Sequence, residues 1–390
     1  MIIKSLMNEN LVYFVKKNKI VYGLYYILMT IAISILKLFR KKDKKLILFV
    51  SYGGRHYNES PKTLYEAMKR DPRFVGYKLV WAFRNPKKYP EVECKVKIDT
   101  LKFYNIAVNA RCWITNVAVE RGLRFKPKSV FYFHTTHTTL PKCMGKDDKS
   151  AYSFRGYFSP QFDCSCACSE YEAIKEQSMF EITADKILLS GYPKNDNLIN
   201  IKKDEVMTIK QRLEIPLEKK VILYAPTYRE SSGTSMGLNV DINKWKSILG
   251  PEYYVLFRAH PTMMSSLKLE DNDSFVKDVS TYPDNTELMK IADLLISDYS
   301  GIFFEYAVLE RPMFCYGYDY DEYIKKRQLY FDIRKELPGG MLDEEGLLNL
   351  IKKNSPEITE QVRIFRKKYV TVYGNATEIC LNKIYEELSK

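Results

Sequence analysis

Short apolar runs alternate with helical segments along most of this chain, and that alternation restricts the folds it can adopt. The first such runs lie at residues 45–51, 77–82 and 112–116. Each is too short for an ordinary helix and too uniformly apolar for a strand with one solvated face. Parallel strands that are joined by helices bury both of their faces in this way. The pattern therefore predicts an α/β protein with parallel sheets covered on both sides.

The spacing of the later runs divides the chain into two series. Runs at 129–133, 162–168 and 187–190 extend the first series, and runs at 221–229, 253–261 and 294–296 form a second. A charged helical stretch separates them, and 390 residues suffice for two α/β domains. We therefore predict one domain at residues 44–200 and another at 201–390, whose amphipathic C-terminal helix braces the first domain.

Residues 291–312 predict a strand, a small polar turn and a helix. The apolar run at 294–296 precedes Ser-Asp-Tyr-Ser-Gly, after which apolar residues recur at helical spacing. Ser300 is a favourable N-cap residue, and Gly301 permits close approach of a ligand. A helix start of this kind can bind phosphate through free N–H groups, although plain helix capping explains the same residues.

The N-terminal residues 1–43 form a separate unit. Residues 20–36 carry no formal charge and are flanked by lysines before them and by lysines and Arg40 after them. The stretch is at the lower limit of length for a membrane-spanning helix, and no signal-peptide cleavage site follows it. We predict a helix at the cytoplasmic membrane interface, held by its basic flanks. A single span and a buried helix of a soluble protein are the alternatives.

The net charge of +13 favours anionic partners such as lipid headgroups or phosphate-rich substrates. No nucleic-acid-binding module is present, so nucleic acid is not an expected partner. Cys164, Cys166 and Cys168 alternate within an apolar run, which predicts a buried strand rather than a metal site. The four histidines His56, His134, His137 and His260 are all predicted at strand ends that face a cleft.

Several motifs occur together in a characteristic order. They are His-Thr-Thr-Leu-Pro-Lys from His137 to Lys142, then Gly-Tyr-Pro-Lys-Asn-Asp from Gly191, Tyr-Ala-Pro-Thr-Tyr-Arg ending at Arg229, and the segment 298–316. From about residue 49 to 342 this resembles the CDP-glycerol glycerophosphotransferase family, which builds teichoic acids and related polymers. The chain departs from the family pattern at Thr136, Thr138 and the order of Leu140-Pro141, and it has Lys194 where arginine is usual.

The resemblance implies a GT-B-like fold, with two Rossmann-type domains, an active site between them, and no obligatory metal or other cofactor. It implies that His137 is the general base and that His260 is a second catalytic residue, although their roles could be exchanged. Substrate contacts are expected from the following residues: Arg229, Arg258, Ser300, Gly301, Asp298, Arg327, Thr139, Lys142, Lys194 and Glu305.

The implied reaction moves glycerol phosphate from CDP-glycerol to a hydroxyl of a lipid-linked saccharide or glycerol-phosphate acceptor, with release of CMP. A primase at the cytoplasmic face of the membrane is favoured, with oligomerisation left open. The alternatives are a glycerol- or ribitol-phosphate polymerase, a capsule glycerophosphotransferase, and a GT-B glycosyltransferase that uses a nucleotide-sugar. A basic, membrane-attached binding protein with degenerate motifs is the alternative without catalysis.

Overall fold

Two parallel β-sheets organise the protein, each at the centre of one domain. The structure, a computed structural model, describes residues 18–120, 122–137, 140–148, 160–227, 240–259, 274–340 and 343–390. Within these residues the strands are β1 (Leu46–Val50), β2 (Lys78–Phe83), β3 (Lys95–Lys97), β4 (Cys112–Thr115), β5 (Phe131–His134), β6 (Cys164–Ala167), β7 (Ile187–Leu189), β8 (Lys220–Tyr224), β9 (Tyr253–Phe257), β10 (Val276–Asp278), β11 (Leu294–Ser297) and β12 (Met313–Cys315). Their order is β3-β2-β1-β4-β5-β6-β7 in the first sheet and β10-β9-β8-β11-β12 in the second.

All strand pairs within the two sheets are parallel, and helices form many of the connections between the strands. The helices of the described residues are α1 (Lys19–Leu38), α2 (Glu59–Arg70), α3 (Leu101–Asn109), α4 (Glu170–Phe180), α5 (Lys203–Arg212), α6 (Ile242–Leu249), α7 (Asn285–Ile291), α8 (Ile302–Tyr306), α9 (Tyr320–Lys326), α10 (Ile333–Glu336), α11 (Glu344–Lys353), α12 (Pro356–Tyr369) and α13 (Ala376–Ser389). The α/β class and the parallel sheets that the sequence predicted are confirmed.

Helices cover both faces of each sheet, as the fully apolar strands require. Successive side chains of a strand point to opposite faces. Leu48 of β1 packs with Phe103 of α3 on one face, whereas Phe49 packs with Leu64 of α2 and Leu381 of α13 on the other. The second sheet follows the same rule, because neighbouring residues of β8 belong to two separate apolar clusters.

The last helix returns to the first domain. The backbone N–H groups of Thr371 and Val372 donate to the carbonyl of Cys168, at 2.8 and 3.0 Å. The Asp196 carboxylate then accepts from the N–H groups of Ala376 and Thr377, at 2.9 and 2.7 Å. A carboxylate at this position satisfies free N–H groups of a helix start and favours the positive end of its dipole. The motif that begins at Gly191 therefore ties α13 to the first sheet.

Helix α1 has one face on the first domain and one face exposed. Ile33 is buried against that domain, and Tyr25, Tyr26, Met29 and Leu36 pack partly against the same apolar cluster. The opposite face exposes large apolar side chains at helical spacing: Ile20, Leu24, Ile27, Leu28, Ile31, Ile35 and Leu38. In the described part of the chain, no helix has the length and apolarity needed to cross a membrane. We call the exposed set the apolar stripe of α1.

Candidate active site

Polar side chains from both domains meet where the strands of the two sheets end. His56 and Glu59 follow β1, His137 follows β5, and Arg258 follows β9. Arg258 lies close enough to His56 and Glu59 to interact with both electrostatically. The arginine of the second domain therefore faces these residues of the first domain. Ligands of doubly wound sheets bind at the carboxyl ends of the strands. The structure therefore brings His137 and Arg258, two predicted site residues, to one cleft between the domains.

The imidazole of His137 is held in a defined orientation. Its Nδ1 lies 2.9 Å from the backbone carbonyl oxygen of Asn116. A carbonyl oxygen can only accept, so Nδ1 carries the proton and Nε2 of the neutral ring is the acceptor. Burial lowers the pKa of His137, while the Asn116 carbonyl and the charge of Glu59 oppose that shift. The result is a neutral, half-buried imidazole with a basic Nε2.

Asn116 also fixes the residues that surround His137. Its side-chain oxygen accepts from the N–H of Tyr52 at 2.9 Å, and its amide nitrogen lies 3.3 Å from the hydroxyl oxygen of Ser51. The Tyr52 ring meets the His137 ring edge to face, with the centroids 5.7 Å apart. Tyr52 and Thr136 have φ angles of +44° and +49°, a left-handed conformation that non-glycine residues adopt at a cost. This cost supports a functional role for the loop that carries His137 and for the loop whose Tyr52 contacts it.

A buried ion-pair cluster joins the two domains beside His137. The Nζ of Lys194 lies 2.5 Å from a carboxylate oxygen of Glu59 and 2.9 Å from one of Glu305. Only 6% of the Lys194 side chain is exposed, and the carboxylates are nearly as buried. Burial lowers the pKa of Lys194, but Glu305 and Glu59 more than reverse this effect and raise it above 10.5. Lys194 is therefore charged and already neutralised by one carboxylate from each domain.

Among the described residues no carboxylate forms an ion pair with Arg258, and backbone carbonyls anchor its guanidinium instead. Its Nη1 donates to the backbone carbonyls of Val279 and Tyr282, at 3.0 and 2.9 Å. Burial lowers the pKa of Arg258, and the nearby charges of Glu59 and Asp284 partly offset that shift. Carbonyls orient a guanidinium without cancelling its charge, so the arrangement suits an anion such as a phosphate.

The turn after β11 places Ser300 two residues before α8, which begins at Ile302, with Gly301 between them. The Ser300 hydroxyl accepts from the Ile302 N–H at 3.3 Å, so it makes the helix-capping contact that the sequence predicted. Asp298 points inward, and its carboxylate accepts from the N–H and hydroxyl of Thr227 at 2.9 and 2.7 Å. Asp298 thus connects the turns that follow β8 and β11.

Lys142 and Arg327 lie at a second contact between the domains. Lys142 forms an isolated antiparallel bridge with Leu329, and its Nζ lies 6.0 Å from the centre of the Tyr323 ring. Arg327 pairs with Asp148 at 3.4 Å. Both predicted substrate residues therefore also hold the segment after His137 against the second domain. Their contacts with substrate stay predictions.

Three predicted site residues, Thr139, Arg229 and His260, lie outside the described residues. The prediction that all four histidines face the cleft is wrong for His134, because its side chain is buried in the first domain. The His134 ring stacks on Phe162 with a centroid distance of 4.0 Å, and burial lowers its pKa to about 3. His134 ends β5 with its side chain on the core face, which alternation along a strand permits.

Sequence reasoning did not identify Tyr52, Glu59 or Asn116 as parts of the site. Asn116 contributes mainly through its backbone carbonyl, and residue identity does not reveal such a contact. Glu59 pairs with Lys194 although the two are far apart in sequence. The one available signal was position, since Tyr52 follows one predicted strand of the first sheet and Asn116 ends another.

Comparison with known proteins identifies relatives over nearly the whole chain. The chain is 31% identical over 370 residues to a teichoic acid glycerol-phosphate transferase of Staphylococcus aureus, covering 88% of this chain and 94% of that protein. It is 32% identical over 372 residues to a teichoic acid poly(glycerol phosphate) polymerase of Staphylococcus epidermidis, covering 89% of this chain. The chain spans about half, 51%, of that polymerase.

A solved structure has the same fold. The wall teichoic acid polymerase TagF, in a histidine-to-asparagine variant soaked with CDPG, superposes with a TM-score of 0.83 at 29% identity. The superposition covers 95% of this chain and 97% of that one, so the predicted GT-B-like, two-domain fold is confirmed. The family model for CDP-glycerol:poly(glycerophosphate) glycerophosphotransferases matches residues 32–386. The chain therefore belongs to the CDP-glycerol:poly(glycerophosphate) glycerophosphotransferase family.

Proposed function

We propose that this chain transfers glycerol phosphate from CDP-glycerol to a hydroxyl of a lipid-linked acceptor and releases CMP. The observation that carries the proposal is the arrangement of His137, whose Nδ1 proton is bound by the Asn116 carbonyl at 2.9 Å. Its Nε2 is left as a proton acceptor in the cleft that also contains Arg258. Membership of a glycerophosphotransferase family and the fold shared with TagF support the choice of donor.

In the proposed step, the acceptor oxygen attacks the phosphorus that carries glycerol. The new phosphorus–oxygen bond forms as the bond between that phosphorus and the oxygen bridging to CMP breaks. His137 takes the hydroxyl proton at Nε2, and CMP leaves with the electron pair of the broken bond. Phosphoryl transfer depends on positioning and on stabilising charge at the phosphate oxygens. Arg258 is placed to supply positive charge, and we propose that Arg229 and His260 add to it.

The other predicted substrate residues have different support from the structure. Ser300 and Gly301 stay candidate phosphate contacts in the turn after β11. Asp298 and Glu305 are engaged by Thr227 and Lys194, and we propose that they shape the cleft rather than bind nucleotide or glycerol. We propose that Lys142, Thr139 and Arg327 bind the acceptor. Lys142 and Thr139 belong to the segment after His137, and that segment contacts Arg327 and residues close to it.

A lipid-linked acceptor is held in a membrane, so the proposed enzyme works at a membrane surface. We propose that the apolar stripe of α1 enters the interface at the cytoplasmic face, beside the basic residues that follow the helix. A primase-type transfer is favoured because teichoic acid glycerol-phosphate primases are among the relatives that the chain matches. A polymerase is the second candidate, favoured by the TagF structure and the Staphylococcus epidermidis relative.

The test is CMP release from CDP-glycerol with two matched acceptors, a lipid-linked disaccharide and the same lipid with one glycerol phosphate attached. CDP-ribitol is the competing donor. A single addition to the disaccharide would support the primase, and long chains on the second acceptor would support the polymerase. Absence of CMP with every combination of donor and acceptor would refute glycerophosphotransfer. A preference for CDP-ribitol would reassign the donor.

The rate of transfer should fall at acid pH with a midpoint below 6.5. Burial lowers the pKa of His137 from its ordinary value of 6.5, so the neutral form that accepts a proton persists below that pH. The measurement is kcat/KM for CDP-glycerol across pH 5 to 8, roughly the interval in which histidine titrates, since this ratio reports the free enzyme. A midpoint clearly above 6.5 would contradict a buried neutral base.

A further inference from the structure

A basic cavity lies at the edge of the first sheet that is opposite the candidate active site. It has a volume of about 700 Å³ and is lined by residues at the amino ends of β1, β4 and β5, and by α13. Strand β1 has five residues and spans roughly 17 Å at 3.3 Å per residue. His56 and Glu59 follow its other end. The cavity is therefore separate from the cleft that contains His137.

The cations of the cavity exceed its carboxylates. Seven lysine and arginine side chains line it against four carboxylates. Glu387 pairs with Lys383 and Lys390, each at 2.8 Å, and Asp163 pairs with Lys126 at 2.8 Å. Among the described residues, Lys42, Lys44 and Lys128 are exposed and have no ion pair. The cavity thus keeps positive charge that its own acids do not neutralise.

Two arginines of the cavity are oriented by backbone carbonyls. Arg111 donates to the carbonyl oxygens of Ser129, at 3.3 Å, and Glu387. Arg40 donates through Nε to the carbonyl of Val108. As with Arg258, carbonyl contacts fix the direction of a guanidinium while its charge stays available. Fixed guanidiniums with lysines around them form a suitable site for a phosphate group.

The position of α1 indicates where that phosphate comes from. Arg40, Lys42 and Lys44 follow the helix directly, and its last apolar side chain, Leu38, is 82% exposed. The apolar stripe therefore leads to the mouth of the cavity. A phospholipid has the same order of parts, with acyl chains next to a phosphate headgroup. A free phosphate ion would satisfy the cations but would leave the stripe in water.

We propose that this cavity binds the phosphate of an anionic phospholipid headgroup, with the acyl chains along the apolar stripe of α1. The proposal rests on the membrane attachment in the proposed function and makes it specific. The first domain would then be fixed in one orientation on the membrane, because Arg111, Lys128 and α13 join the basic residues next to α1. Lipid-bound and catalytic surfaces would occupy opposite edges of the same sheet.

Binding of dihexanoyl phosphatidylglycerol, kept below its micelle concentration, tests the site by calorimetry on the full chain. We expect one lipid per chain, and at least a fivefold weaker affinity in K128E, since removing one interfacial cation changes membrane affinity by roughly fivefold. K353E is the matched control, because Lys353 is an exposed lysine on α11 of the second domain. R111Q should also weaken binding, and thermal unfolding of each variant shows whether it is folded.

Vesicles and free phosphate complete the test. Sedimentation should show tighter binding to phosphatidylcholine vesicles with 30% phosphatidylglycerol, about a third anionic lipid, than to phosphatidylcholine alone, with K128E losing that difference. Equal losses in K128E and K353E would mean diffuse attraction and overturn the site. Inorganic phosphate that binds as well as the short lipid would overturn the lipid assignment. CMP release with a water-soluble acceptor should be unchanged in K128E, so failure of lipid binding and failure of the proposed function are separate results.

Discussion

Replacing His137 with asparagine is expected to lower kcat/KM for CMP release by about 10²–10⁴-fold, the range that a general base contributes. The asparagine amide can still donate to the Asn116 carbonyl, which accepts from Nδ1 at 2.9 Å in the native protein. It has no atom at the position of Nε2 that can take up a proton. The loop should therefore keep its conformation while the proton acceptor is lost. Initial rates with saturating acceptor, beside the thermal unfolding midpoint, measure the two effects separately.

His56→Asn is the matched control for this variant. His56 also follows a strand of the first sheet and contacts the Tyr52 ring, with centroids 5.9 Å apart. Burial, together with the nearby charges of Arg55 and Arg258, lowers the pKa of His56. We expect His56→Asn to lower kcat/KM by less than roughly 100-fold, which is the smallest loss expected when a general base is removed. If His137→Asn kept nearly native activity, or if both variants lost activity equally, His137 would not be the base.

The central strands of both sheets could be predicted from the sequence because each is a nearly uniform apolar run. β1 and β4 lie within the predicted runs, β8 begins one residue before its run, and each is buried along almost its whole length. The edge strands β3, β10 and β12 were not predicted. Each has three residues, and two of them carry lysine or aspartate toward solvent. A short, half-exposed strand has too little periodicity to be recognised.

The sequence predicted which residues lie together where they follow strands, and it was incomplete where two distant segments meet. His137 and Arg258 each follow a strand, so each lies at the carboxyl edge of its own parallel sheet. The partners of Lys194 come from α2 and from α8. Its predicted role as a phosphate ligand followed from its charge, but the sequence does not show which charges are already paired. Only the packing of the two domains determines that.

The Lys194 cluster leads to the largest expected effect on stability. Lys194→Met removes the cation that pairs with the buried Glu59 and Glu305, and breaking a buried ion pair costs about 3–5 kcal/mol. The free energy of unfolding from urea titrations measures the loss. A variant that also carries Glu59→Gln and Glu305→Gln should regain most of it, because no buried charge is left without a partner. Failure of that combined variant to recover would contradict the electrostatic explanation.

The same variants decide between two roles for Lys194. If Lys194 connects the domains, it holds the carboxylate of Glu59 from α2 close to that of Glu305 from α8. Its loss should then mainly lower the free energy of unfolding. As a phosphate ligand, its loss should raise KM for CDP-glycerol in a protein that unfolds normally. Since both carboxylates already neutralise Lys194, a third anion would have to displace one of them. We therefore expect the neutral combined variant to recover both stability and KM, whereas a phosphate ligand could not be replaced by methionine.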